Sequence, residues 1–260
     1  MYGAIIGDLA GSIYEYGQIK KVSSIKCNKL IEDNSFYSDD TILTIAILDA
    51  ILKDKDYESS LKEYGKKYSD YKPSFNPYFN TSFSPGFTKW VNGNYNGKST
   101  GNGALMRISP IGYLFNNKND VIKNAALATI PSHNSNEAVN AATIVALIIF
   151  YSRCGYNKEE IIKMLNIKLV NRNLDKFNTT CKETLDICLY TLFNSNSFSD
   201  AISNTLLVGG DTDTNCCIVG SMAEAMYGID KKYIDEADKH IPNEFKKILK
   251  KGYEKIGKVI

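Results

Sequence analysis

Two acidic clusters in this sequence combine carboxylates with hydroxyl groups and could bind metal ions. They are S-D-D-T at Ser38–Thr41 and G-G-D-T-D-T at Gly209–Thr214, and each directly precedes a strongly apolar stretch. Oxygen-only donors of this kind suit a hard cation such as Mg²⁺ or Mn²⁺. If the clusters meet in space, their four carboxylates repel one another, and two divalent ions about 3.5–4 Å apart would neutralise that repulsion.

Each cluster also has a simpler structural interpretation. A lone S-D-D-T is often a helix N-cap with Ser38 as the capping residue, and D-T-D-T can be a capped first turn. The metal-site hypothesis therefore depends on the two clusters converging, although they are about 170 residues apart in the chain.

Three further motifs carry groups that could contact a ligand. In Gly7–Glu15, glycines four residues apart allow close helix packing or the approach of backbone to a ligand, and Glu15 adds an acidic group. In Gly101–Arg107, the backbone N–H groups of G-N-G could cradle an anion just before a helix, and Arg107 is either a counter-charge or part of a buried salt bridge. His133 precedes another apolar helix, where it is a cap, a core residue or an anion contact.

The elements that must position these groups are predicted to be helices. Strand signals are weak, because no long alternating run lies between turn residues, so we predict an all-α fold. The segment from Lys72 to Gly101 is rich in Asn, Ser, Pro and aromatic residues and is predicted to be an ordered surface loop. Apolar or amphipathic periodicity predicts helices over Thr41–Leu52, Tyr57–Tyr71, Ala104–Phe115, Val121–Ile130, Glu137–Tyr151, Leu174–Phe193, Phe198–Leu207, Thr212–Tyr227 and Asn243–Lys255.

Composition excludes several classes of protein. The chain has 260 residues, 43% hydrophobic and 23% charged, which is typical of a globular protein. Its net charge of +2 argues against a polybasic nucleic-acid binder. The longest apolar run, Ala141–Tyr151, is shorter than the roughly 18 residues of a membrane span, and the N-terminal residues do not resemble a signal peptide. We therefore expect a cytoplasmic protein with no membrane partner.

The six cysteines contain no C-x-x-C pair, and the chain has only two histidines. A zinc site of the usual Cys/His spacing is therefore not expected. We predict that the cysteines are free, buried thiols in a reducing compartment.

Taken together and in this order, the motifs resemble those of the ADP-ribosylglycohydrolase family. That family includes the dinitrogenase reductase-activating glycohydrolase and the ADP-ribosylarginine and ADP-ribosylserine hydrolases. The resemblance runs from Gly3 to Gly228 and implies an all-α orthogonal helical bundle, with residues 1–260 as a single domain. The matching stretches are G-D-x-x-G-S-x-Y-E ending at Glu15, S-D-D-T at Ser38–Thr41, G-N-G-A-L-M-R at Gly101–Arg107, S-H-N-S around His133 and G-G-D-T-D-T at Gly209–Thr214.

The resemblance also implies a role for each motif. Two Mg²⁺ or Mn²⁺ ions would be bound, with Asp213 as the residue that bridges both, and Ser38 stands where the family usually has threonine. Glu15 or Asp40 would activate water or assist the leaving group. The implied metal ligands are Ser38, Asp39, Asp40, Asp211, Asp213 and Thr214. The implied diphosphate contacts are Gly101, Asn102, Gly103, Arg107 and His133.

The implied activity is hydrolysis of ADP-ribose from a modified protein side chain. Cleavage at the anomeric carbon would pass through an oxocarbenium-like state stabilised by carboxylates, and an aromatic residue between Lys72 and Tyr95 would stack on adenine. Arginine is the simplest modified side chain, while serine-linked or O-acetyl-ADP-ribose is the alternative. A non-catalytic ADP-ribose-binding or structural protein is a further alternative. We expect a monomer.

Overall fold

The computed structural model describes residues 1–15, 29–73, 81–171 and 177–260. Across these residues the chain is helical and forms no sheet, since its only β-type pairs are two isolated bridges, Lys98–His133 and Gly101–Thr180. The all-α prediction is confirmed. The helices are α1 Tyr2–Ser12, α2 Asp39–Lys53, α3 Tyr57–Lys67, α4 Pro85–Val91, α5 Gly103–Met106, α6 Ser109–Leu114, α7 Lys118–Thr129, α8 Asn136–Arg153, α9 Lys158–Leu165, α10 Cys181–Phe193, α11 Phe198–Val208, α12 Thr212–Tyr227, α13 Lys231–His240 and α14 Asn243–Lys255.

Four of the helices in the described residues were not predicted as helices. Helices α1, α9 and α13 were not predicted, and α4 lies inside the segment predicted to be a loop. Helix α9 had a readable signal, because Asn157 and Glu160 form a capping box at its start. Residues 74–80 of the predicted loop lie outside the described residues.

The predicted helix Ala104–Phe115 is two short helices, α5 and α6. Pro110 is at the start of α6, where its missing N–H costs no intrahelical hydrogen bond. A continuous helix through this position would lose that bond and clash with the preceding turn. Helix α10 begins at Cys181, later than the predicted Leu174, and residues 172–176 lie outside the described residues.

Helices α1 and α12 pack backbone against backbone. A Cβ atom placed on Gly7 would lie 2.0 Å from the carbonyl oxygen of Cys216, and one on Gly11 would lie 2.3 Å from that of Thr212. No real Cβ atom tolerates such distances, so only glycine permits this approach. The glycines around Gly7 and Gly11 therefore serve close helix packing, and the contact of Gly11 with Thr212 brings the C-terminal end of α1 next to the second acidic cluster.

The longest helix, α8, is buried along most of its length. No helix in the described parts of the chain is long and apolar enough to cross a lipid bilayer. Four cysteines are free and buried as predicted, namely Cys181, Cys188, Cys216 and Cys217, whereas Cys154 is free but exposed at the end of α8. The sixth, Cys27, lies outside the described residues.

Candidate active site

All twelve residues singled out in the sequence line one cavity of about 440 Å³. The acidic residues and the glycine-rich loop therefore share a single space. These residues are Glu15, Ser38, Asp39, Asp40, Gly101, Asn102, Gly103, Arg107, His133, Asp211, Asp213 and Thr214.

The two acidic clusters meet at the N-termini of α2 and α12. The hydroxyl group of Thr214 donates a hydrogen bond to Oδ2 of Asp40 at 3.2 Å, across 174 positions of sequence. The hydroxyl group of Ser38 reaches the same oxygen at 3.1 Å and also accepts from the N–H of Asp40 at 3.2 Å. Ser38 is thus the N-cap of α2. The capping interpretation is correct, and the two acidic clusters also converge, as a shared site requires.

Five carboxylates form two overlapping groups of three, and in each group one oxygen per residue lies within 4.8 Å of the others. The first group is Asp8, Asp40 and Asp213. The second is Glu15, Asp211 and Asp213. Asp213 belongs to both groups, whereas Asp39 lines the cavity but belongs to neither.

Asp8 was not predicted as a site residue. Its Oδ2 atom accepts from the N–H of Ser38 at 2.9 Å and from the N–H and hydroxyl groups of Thr41 at 3.1 and 2.5 Å. Asp8 therefore ties α1 to the N-terminus of α2 and adds a carboxylate to the first group. A signal was available, because Asp8 interrupts the apolar sequence of α1, where burying an acid is costly without a specific partner.

Burial and mutual repulsion disfavour the charged forms of these acids. Burial raises the pKa of Asp8 to about 6. Burial, and then the neighbouring carboxylates, raise the pKa values of Asp40 and Asp213 well above the ordinary range. One oxygen of Asp8 and one of Asp40, both Oδ1, are buried without a hydrogen-bond partner among the described residues. Unpaired carboxylate oxygens in a repulsive cluster fit a site for hard cations.

The second acidic cluster, Gly209–Thr214, is held by a network of buried amides. Gly209 and Gly210 have φ values of 81° and 78°, which let the chain turn sharply before α12. Asn178 is 1% exposed, and its Oδ1 accepts from the N–H of Asp211 at 3.0 Å. Its Nδ2 group donates to Oδ1 of Asn215 at 2.9 Å. This network orients Asp211 before any ligand binds.

The glycine-rich loop is hydrogen-bonded both to the residues that precede α10 and to the second acidic cluster. The side chain of Asn102 donates to Oδ2 of Asp211 at 2.7 Å, and its N–H donates to the carbonyl of Thr179 at 2.9 Å. The N–H of Gly101 donates to the hydroxyl group of Ser99 at 3.1 Å. Both N–H groups thus already have acceptors in the protein, and an anion at this loop would need other donors.

Arg107 and His133 lie together behind that loop. The guanidinium of Arg107 is fully buried and donates from Nη2 to the hydroxyl group of Ser132 at 2.6 Å and to the carbonyl of Ala128 at 3.2 Å. No carboxylate pairs with it among the described residues, so the buried salt bridge is not found. Burial lowers the pKa of Arg107 to about 10, which leaves it charged at neutral pH.

Aromatic side chains form another part of the cavity wall. Phe83, Phe87 and Trp90 pack together on and beside α4, with ring centroids 5.0 Å apart for the first pair and 5.5 Å for the second. Tyr95, which is 41% exposed, also lines the cavity. The cavity therefore combines acidic side chains from just beyond α1 and from the N-termini of α2 and α12 with an apolar, aromatic part of its wall.

Comparison with known proteins agrees with this architecture. The sequence model of the ADP-ribosylglycohydrolase family matches residues 1–258. "ADP-ribosylhydrolase ARH3" of Homo sapiens is 23% identical over 308 aligned positions, which cover 88% of this chain and 84% of that protein. "ADP-ribosylarginine hydrolase Tri1" of Pseudomonas putida (strain GB-1) is 26% identical over 152 positions, which cover 53% of this chain and 41% of that protein.

A solved structure shares the fold. It is described as an "ADP-ribosylglycohydrolase-related protein complex" and superposes with a TM-score of 0.68 over 98% of this chain and 92% of its own, at 17% identity. The family match extends over nearly the whole sequence and includes every residue of the cavity described above. The chain therefore belongs to the ADP-ribosylglycohydrolase family of enzymes.

Proposed function

We propose that this chain hydrolyses the glycosidic bond between ADP-ribose and a modified protein side chain, most simply that of arginine. The observation that carries the proposal is the convergence of the two acidic turns on one cavity, fixed by the hydrogen bond from Thr214 to Asp40. The aromatic wall and the loop at Gly101–Gly103 complete a cavity with separate acidic, polar and apolar regions. Those regions match the ribose, diphosphate and adenine parts of ADP-ribose.

Under the proposal, two divalent cations, Mg²⁺ or Mn²⁺, would be held by the acidic side chains of the cavity. Their proposed ligands are Ser38, Asp39, Asp40, Asp211, Asp213 and Thr214, to which Asp8 is added. Asp213 would serve as a ligand of both ions, because it belongs to both groups of carboxylates. When bound, such ions neutralise the carboxylates, orient ribose hydroxyl groups and polarise water.

Glu15 is the better placed of the two candidate catalytic acids. Asp40 is 1% exposed, and its Oδ2 atom already receives hydroxyl groups from Ser38 and Thr214, so its carboxylate is held in place. Glu15 is half-buried just beyond the end of α1 and lines the cavity. Under the proposal Glu15 accepts the proton of the attacking water or supplies one to the leaving group, and the fixed carboxylates stabilise positive charge at the anomeric carbon.

The rest of ADP-ribose is assigned to the other walls of the cavity. Gly101, Asn102 and Gly103 would lie along the diphosphate, with the positive charge of Arg107 behind them and His133 beside them. Adenine would stack on the aromatic wall, where Phe87 and Tyr95 retain exposed ring surface.

Arginine is favoured as the modified residue because one relative carries that linkage in its name, "ADP-ribosylarginine hydrolase". The alignment covers 41% of that relative, and it includes little more than half of this chain. Serine-linked ADP-ribose and O-acetyl-ADP-ribose are therefore tested beside it, and a non-catalytic ADP-ribose-binding protein is the contrasting outcome.

The decisive experiment compares hydrolysis of three substrates by the purified protein. ADP-ribosylarginine protein, ADP-ribosylserine peptide and O-acetyl-ADP-ribose are each incubated with Mg²⁺, with Mn²⁺ and with a chelator, and released ADP-ribose is measured. We expect fastest release from arginine and no release after chelation. ADP-ribose binding without turnover of any substrate would refute the enzymatic proposal.

Variants of the acidic turns test the assignment of the site. Asp211→Asn and Asp213→Asn are each expected to abolish release while the protein remains folded by circular dichroism. Asp235→Asn is the matched control, because it makes the same change in a side chain that is 56% exposed on α13. Full activity in both cavity variants would contradict the metal assignment.

A further inference from the structure

His133 lies in the loop between α7 and α8, and its backbone is fixed by hydrogen bonds. Its backbone N–H donates to the carbonyl of Thr129 at 3.0 Å, and its carbonyl accepts from the N–H of Ser135 at 2.9 Å. The N–H of Ser99 donates to the carbonyl of the preceding residue, Ser132, at 3.1 Å. These bonds fix the backbone, so the direction of the imidazole depends on its side-chain partners.

Arg107, Ser132 and His133 form a short chain of hydrogen bonds. Nη2 of Arg107 lies 2.6 Å from the hydroxyl oxygen of Ser132, and that oxygen lies 2.8 Å from Nδ1 of His133. A guanidinium can only donate, whereas a hydroxyl group has one proton to donate and two lone pairs that accept. The Ser132 oxygen therefore accepts from Arg107 and has its own proton left for a second partner.

That proton has Nδ1 of His133 as its acceptor. If Nδ1 instead carried a proton and donated it to Ser132, the Ser132 hydroxyl proton would have no acceptor among the described residues. Ser132 is 3% exposed, and an unpaired buried donor costs about 1–3 kcal/mol. The bare Nδ1 atom is thus the favoured arrangement, and the ring proton resides on Nε2.

We propose that Arg107 and Ser132 are positioning residues that hold His133 as a neutral imidazole with its proton on Nε2, so that it presents one fixed hydrogen-bond donor to the cavity. Nε2 has no hydrogen-bond partner among the described residues, and His133 lines the cavity at the glycine-rich loop. A Cβ atom on Gly103 would lie 3.5 Å from Nε2, at van der Waals distance, so the glycine-rich loop passes close to this donor.

The electrostatic surroundings keep the ring neutral. Burial, and then the nearby charge of Arg107, lower the pKa of His133 to about 3. The acceptor that this donor suits is an anionic or hydroxyl oxygen, and its assignment to a phosphate oxygen of ADP-ribose rests on the proposed function. The arrangement differs from an anion site built on a histidine cation, because the positive charge stays on Arg107 and only a directed N–H reaches the ligand.

The tautomer is measured directly on the ligand-free protein by nitrogen-15 NMR of labelled histidine. The chain has only two histidines, His133 and His240, so a His240→Gln variant assigns the signals. We expect one protonated and one bare ring nitrogen for His133, with the couplings of an Nε2–H imidazole. In Ser132→Ala the signals should move toward a mixture of tautomers, whereas Ser132→Thr should retain the wild-type pattern. An Nδ1–H pattern, or no change in Ser132→Ala, would overturn the proposal.

ADP-ribose binding supplies the second readout. Loss of one directed hydrogen bond predicts that Ser132→Ala weakens ADP-ribose binding about tenfold, with restoration in Ser132→Thr. The matched control is Ser109→Ala, because the Ser109 hydroxyl group is also buried but has no hydrogen-bond partner among the described residues. Equal binding by wild type and Ser132→Ala would overturn the positioning role. Absence of binding by the wild type would instead refute the proposed function, while the tautomer measurement on the free protein would still decide this inference.

Discussion

Replacing Asp213 with asparagine should stabilise the metal-free protein and remove most of its response to divalent cations. Asp213 is 4% exposed and belongs to both groups of three carboxylates. The substitution keeps an oxygen that can accept the hydrogen bond from the N–H of Thr214, which is 2.8 Å long in the wild type. It therefore removes charge while preserving the shape of the turn.

The size of the expected change in the free energy of unfolding follows from the spacing of the carboxylates. The carboxylate oxygens in each group lie within 4.8 Å of one another, and two unit charges at that upper limit repel by about 3.5 kcal/mol at an effective dielectric constant of about 20. Partial protonation of the group already relieves some of this repulsion. Loss of an acidic residue from the first turn of α12 costs only about 0.3–1 kcal/mol of dipole stabilisation. Repulsion is the larger effect, and we expect the free energy of unfolding to rise by about 1–3 kcal/mol.

When divalent cations are bound, the substitution is expected to act in the opposite direction and to reduce stabilisation. A cation at 100 times its dissociation constant stabilises the native wild type by about 2.7 kcal/mol per site, and the variant should lose most of that gain. Urea unfolding at pH 7 with chelator and with excess Mg²⁺ or Mn²⁺ measures both effects, with Asp235→Asn as the exposed control. A metal-free variant less stable than the wild type, together with an unchanged cation response, would refute the reasoning.

Two further predictions concern packing and pH. Gly7→Ala should lower the free energy of unfolding by about 1–3 kcal/mol or more, because its Cβ would lie 2.0 Å from the carbonyl oxygen of Cys216. Gly86→Ala is the control, because a Cβ there would have no atom closer than 4.0 Å. Equal urea midpoints for the wild type and Gly7→Ala would contradict the packing argument. His133 has a pKa of about 3 in the folded protein and about 6.5 when unfolded, so the unfolded state binds the extra proton and stability falls as pH drops below about 6.5. Between pH 7 and pH 5 this single group should remove about 2 kcal/mol, a loss that urea titrations should not find in His133→Gln; identical pH slopes would contradict it.

Much of the helical framework could be predicted from the sequence. Helix α12 spans the predicted Thr212–Tyr227, and α14 spans the predicted Asn243–Lys255. The local sequence suffices at these positions, because α12 is buried along most of its length and apolar residues recur on one face of α14. Helix α1 was absent from the predicted helices, although close helix packing was one of the two interpretations of its glycines, which do pack on the backbone of α12.

The residue chemistry of the site was also readable. Two short motifs of aspartate and hydroxyl residues before apolar helices predicted oxygen-rich turns, and both turns line the same cavity. Asp8 was missed because its importance comes from Ser38 and Thr41, which lie 30 and 33 positions away in the chain. Asn178 was missed for the same reason, since its partners include Asp211 and Asn215.

The sequence by itself determined which groups were available and which short segments carried them, because helix formation and capping depend on neighbours within about four residues. Only the tertiary structure decided that Asp40 and Thr214 touch, that Asp213 belongs to both carboxylate groups, and that Ser132 connects Arg107 to His133. Those relations depend on how α1, α2 and α12 pack. Packing is a property of side-chain volume and shape across the whole core, which no local pattern in the chain encodes.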